Sequence, residues 1–206
     1  MNSLIIKGGW VMAPILLGSV IALTLVLERI WFFLTTAFDP EKFSAEIFSL
    51  VEGKRAEDAL EKCRQARHPL AAVFAAGLAH AGEDVSEIDR VMEREANRQI
   101  QKVEKNLNLL VLVIGIEPLL GFLGTILGLI QAFMSWEKFS ASVTVSNLAG
   151  GIYQAMITTA AGLIVAIPYY VIYNLFLAKV NAVARDLNHY GDELVSLLYG
   201  KGRPKG

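Results

Sequence analysis

Three apolar stretches, at residues 11–27, 106–136 and 139–178, hold one side-chain carboxylate between them, that of Glu117. A hydrocarbon core is about 30 Å thick and an α-helix rises about 1.5 Å per residue, so stretches of this length read as membrane spans. With 206 residues the chain has room for these spans and one modest region outside the bilayer, not for a multidomain enzyme. The fold class that follows is an all-α integral membrane protein: three transmembrane helices with long cytoplasmic helical extensions.

The placement of charge sets the expected topology. Of the 19 Lys and Arg residues, Lys7 and Lys138 fall on one side of a three-span arrangement and the other 17 on the opposite side. Basic residues near span ends mark the cytoplasmic face, so the N-terminus is expected outside and the C-terminus in the cytoplasm. The division predicted is an outer N-terminus and first span at 1–36, a cytoplasmic helical region at 37–105, a second span at 106–136, an outer turn at 137–147, a third span at 148–178, and a cytoplasmic helix and tail at 179–206. The first span runs into Glu28, Arg29 and Trp31-Phe32-Phe33 rather than a small-residue cleavage site, which marks it as retained. Trp10 and Trp31 bracket it as interfacial anchors. Cys63 is the only cysteine, so no intrachain disulfide forms, and it is expected to pack in a reducing compartment.

Outside the spans the periodicity is helical. Asp39-Pro40-Glu41 combines an N-cap, a first-turn proline and an acid suited to the helix dipole; Gly53 ends that helix, and further helices are predicted at 55–67 and 69–81. Ser86 reads as the next N-cap, with Asp89 at the capping-box position. Ile88, Val91, Met92, Ala96, Ile100, Val103, Leu107 and Leu110 then recur at spacings of three and four. No Gly or Pro intervenes between Ser86 and Gly115, which predicts one helix running into the second span, with Pro118 as the place for a kink. Val180, Val183, Leu187, Leu194 and Leu197 carry the third helix past its span, and Ile88, Val91 and Ile100 are expected to pack against the cytoplasmic helices and that continuation. His68, His80 and His189 lie on separate elements without metal-ligand spacing and read as solvated or core residues; no metal site is predicted.

Within the second span Gly121, Gly124 and Gly128 lie near one stripe, and in the third span Gly151, Ala155, Thr159, Gly162 and Ala166 do the same. Small residues let membrane helices approach closely. Each stripe carries a threonine, Thr125 or Thr159. The hydroxyls either face each other across the seam or bond their own i−4 carbonyls.

Pro118-Leu119-Leu120-Gly121-Phe122-Leu123-Gly124-Thr125, followed by Thr159-Ala160-Ala161-Gly162-Leu163-Ile164-Val165-Ala166-Ile167-Pro168, resembles the ExbB/TolQ/MotA proton-channel family. The order of spans and cytoplasmic helices, and Glu28-Arg29 at the end of the first span, resemble the short ExbB-like proteins. The resemblance implies a homopentamer in a bacterial inner membrane. It also implies a single-span ExbD/TolR-like partner carrying a membrane Asp, with a TonB-like protein as a further partner. Its ion path maps onto Thr125 and Thr159, and the family's third-span glutamate onto Gln154, which cannot titrate. Glu117 stands where the family more often has a small residue. A carboxylate near mid-membrane costs on the order of 3 kcal/mol, so Glu117 is either part of the ion path or a group that reaches headgroup water or caps a neighbouring helix.

The function expected is an ion-motive-force-driven motor or channel subunit that energises TonB-dependent outer-membrane transport. A TolQ-like envelope-maintenance or motility motor, or a non-conducting scaffold, are the alternatives. No Ser-His pair, paired carboxylates or metal-spaced His/Glu occurs in the spans, so no catalytic residue and no cofactor are predicted. The bilayer is the expected medium, and no nucleic-acid partner is predicted.

Overall fold

The computed structural model describes residues 6–36, 38–139 and 145–199. The helices are α1 (Met12–Thr35), α2 (Pro40–Glu52), α3 (Ala56–Gln65), α4 (Pro69–Ala79), α5 (Val85–Glu104), α6 (Leu107–Phe139) and α7 (Val145–Tyr199), and no strand occurs among the described residues. Among the described residues, three stretches of helix are long and apolar enough to cross a membrane. The protein is an all-α membrane protein. Its chain packs as two compact units, one of the described residues up to Arg29 with Asn106–Leu175, the other of Ile30–Lys105 with the residues from Phe176 on.

In the second unit, α2 starts where the sequence predicts. The Asp39 carboxylate accepts from the Lys42 amide at 3.2 Å, which holds its carboxyl below the usual carboxylate range. At the other end, Gly53 caps the helix with an ordinary φ of −72°, and it is Lys54 that takes the left-handed conformation, φ 61°. The Arg55 amide reaches back to the Leu50 carbonyl at 2.9 Å and the Lys54 amide to Val51 at 3.1 Å, a Schellman closure built on a lysine. His68 caps α4, its Nδ1 accepting from the Ala71 amide at 3.3 Å while its ring stacks on Phe38 with centroids 4.0 Å apart. Burial pulls its pKa down to about 4, so the ring is neutral and free to accept.

The core of this unit gathers Ile47, Leu70, Phe74, Ile88, Met92, Leu187 and Leu194, with Cys63 among them. Burial pushes the Cys63 thiol up to about 12, so it is an inert packing group. Ile88 and Ile100 join this core as predicted. At the intervening turn Met92 is the buried residue, its sulfur lying where a Cβ on Gly77 would stand, and Val91 is only half-buried.

Three expectations are corrected. The predicted continuous helix is broken: Lys105 turns to extended backbone at ψ 136° and Asn106 to left-handed backbone at φ 67°, so α5 and α6 are separate. Asparagine tolerates that region where β-branched and bulky residues do not, and its amide also donates to Glu28 Oε2 at 3.2 Å. Ser86 is not the N-cap; Asp84 holds that position, with no side-chain capping bond. Both ends of the turn predicted at 137–147 are helical, since α6 continues to Phe139 and α7 begins at Val145; residues 140–144 lie outside the described residues. Pro118 and Pro168 both sit inside their helices.

In the first unit, Val11, Met12 and Ile15 are buried against Leu120 and Leu127 of α6 and Ile157, Ala161 and Val165 of α7. Leu119, Phe122, Phe133, Ile164 and Ile167 point outward, as a surface in contact with lipid or other apolar helices requires.

Candidate functional site

The seam between α6 and α7 is made by residues without side-chain bulk. A Cβ on Gly121 would stand 3.1 Å from the Thr159 Cα, one on Gly128 would stand 2.5 Å from the Gly151 carbonyl oxygen, and one on Gly162 would stand 2.5 Å from the Glu117 carbonyl oxygen. Backbones this close exclude any larger residue. Ala155 and Ala166 are buried as well. At Gly124 the notch is filled by Thr158, which is fully buried and donates to the carbonyls of Gln154 and Ala155 at 2.9 and 3.1 Å.

Thr125 and Thr159 meet at this seam. Their hydroxyls are hydrogen-bonded to each other. Thr125 Oγ1 lies 3.3 Å from its own i−4 carbonyl, Gly121, and 3.2 Å from the Ala155 carbonyl on α7, while Thr159 Oγ1 lies 3.2 Å from the Gly121 carbonyl on α6. Thr125 therefore combines both readings, whereas Thr159 bonds only across the seam. Two O–H donors face several acceptors, and both side chains are only half-buried. The pair can rotate to donate to an arriving carboxylate or accept from a hydrated ion without placing a charge in the membrane.

Gln154 and Glu117 lie elsewhere in the unit. Gln154 extends toward the chain ahead of α1, its Nε2 only 2.8 Å from where a Cβ on Gly9 would stand, and Gly9 has φ 72°. Glu117 is 1% exposed; its Oε1 occupies the space a Cβ on Gly18 of α1 would need, and its Oε2 has no hydrogen-bond partner. The four residues predicted for an ion path thus occupy three places, and only the threonines are brought together. Gly18 escapes a reading of α6 and α7 alone; the signal for it is that it is the single glycine of α1.

The fold and the seam define a membrane protein whose two long helices are zipped by glycines around a hydroxyl pair. Residues 65–189, more than half of the chain, match the MotA/TolQ/ExbB proton channel family, and the chain belongs to it. Among curated relatives it is similar to ExbB-like biopolymer transport protein 3 of Synechocystis, 30% identical over 171 residues, covering 82% of this chain and 81% of the relative. It is also similar to the Tol-Pal system protein TolQ of Haemophilus influenzae, 34% identical over 110 residues and covering 53% of this chain and 48% of that protein. Biopolymer transport protein exbB1 of Vibrio cholerae is 47% identical over 70 residues, 34% of this chain and 31% of the relative. The match therefore spans about half the length of the TolQ relative.

Proposed function

We propose that the chain is a non-enzymatic, ExbB-like subunit of an ion-motive-force-driven motor in the inner membrane of a bacterial envelope. Its N-terminus lies outside and its C-terminus in the cytoplasm, as the bias of basic residues supports. Copies assemble as a pentamer around a single-span ExbD/TolR-like partner, whose membrane Asp passes the Thr125–Thr159 pair. The work delivered is energised transport through TonB-dependent outer-membrane proteins. The observation that carries this reading is the hydroxyl pair, held at a glycine-packed seam inside the family-matched stretch.

Thr125→Val keeps the shape and removes the hydroxyl, so cells with this variant should assemble the complex normally and lose energised transport. Transport at the parental rate would remove Thr125 from the mechanism. Similarity to TolQ favours a second reading, an envelope-maintenance motor. Loss of envelope integrity on deletion, with outer-membrane transport intact, would select it.

A further inference from the structure

The Glu117 carboxyl lies inside a single subunit and away from the hydroxyl pair's contacts. It is packed against the α1 backbone at Gly18, where the neighbouring side chain is Val113 of α6 itself, with Oε2 unpartnered and the residue 1% exposed. An ionised carboxylate in such a place would have neither water nor a countercharge, and buried acids escape that cost by taking a proton. The charged groups of the described part of this unit are remote along their helices. Glu28 and Arg29 are ten and eleven residues beyond Gly18, about 15 Å or more by helical rise. Glu137 and Lys138 are twenty and twenty-one residues beyond Glu117, about 30 Å. Lys7 precedes α1, and α7 carries no charged residue before Lys179. On the α7 side the titratable group directed at α1 is Tyr169, whose hydroxyl is already given to the Ser19 carbonyl at 3.3 Å. Hard metal cations gather several oxygen ligands, whereas Gly18 and the Val113 methyl offer no side-chain oxygen.

We propose that Glu117 is a proton-binding site of each subunit: a neutral carboxylic acid while α1 is seated at Gly18, whose ionisation unseats α1. The inference rests on the membrane reading of the chain and not on conduction, so it is tested on the purified protein without a partner. Infrared spectra of the full chain in lipid vesicles at about pH 7 should show the carbonyl stretch of a protonated carboxylic acid, and Glu117→Gln should abolish it. Cysteines placed across the α1–α6 contact and spin-labelled should then separate as pH rises and the band is lost, with no separation in Glu117→Gln. A wild-type protein without that band, a band that survives in Glu117→Gln, or an α1–α6 distance indifferent to loss of the band would each overturn the proposal. Should Glu117→Gln fail to fold, the wild type alone decides, since absence of the band at every pH from about 5 to about 9 contradicts a bound proton.

Discussion

At the scale of single residues, direction matters more than identity. Glu117, Gly121, Gly124 and Gly128 follow one another at spacings of four, three and four, so the stripe that makes the glycines legible also carries the acid inward. Its partner was not legible, because Gly18 stands about a hundred residues away and only the packing of α1 joins them. The threonine pair could be read from two motifs, whereas nothing local said that Gln154 would turn toward Gly9. Gly18→Ala should overpack the carboxyl and cost about 1–3 kcal/mol, read as a lower melting temperature in detergent. Glu117→Ala should relieve it, so the double variant should be markedly less destabilised than the sum of the two; additivity would mean that the two do not touch. His68 supplies a pH signature. A histidine held near 4 in the folded chain binds fewer protons there than unfolded, so its contribution is complete above its ordinary value of 6.5 and is lost as pH falls toward about 4. Replacing it by Asn keeps a capping oxygen and should flatten that part of the stability profile, measured by melting across the same window.

At the scale of elements, starts were easier to read than stops. Asp39-Pro40 announces α2 because capping chemistry is local, but the end of α5 depends on one asparagine. Searching only for Gly and Pro misses such a break, since Asn also visits left-handed backbone. Asn106→Ala should cost about 1–2 kcal/mol through that conformation and the lost bond to Glu28, a loss that Asn106→Gly should show only in part. Conversely, Lys54→Gly should raise stability by about 1 kcal/mol, since glycine takes the same φ without a Cβ clash. Melting curves of the full-length protein check both, and an unchanged Lys54→Gly curve would show that the Schellman closure carries no strain.

At the scale of the whole molecule, the sequence makes the class plain and the assembly follows only by proposal. Long apolar helices, a glycine seam and the family match define a proton-channel-family membrane protein, yet the side chains present at the seam are hydroxyls, not titratable groups. Proton relays in membranes use Asp, Glu or His chains, and Glu117 is turned toward α1 rather than toward the hydroxyl pair. The central claim is therefore that conduction needs a carboxylate from a partner. The direct measurement is proton flux in liposomes containing the purified protein alone, then with a single-span partner carrying a membrane Asp. The account predicts vesicles that hold their gradient with the protein alone and leak it with the partner, the leak vanishing in Thr125→Val; robust flux through the protein alone would contradict it.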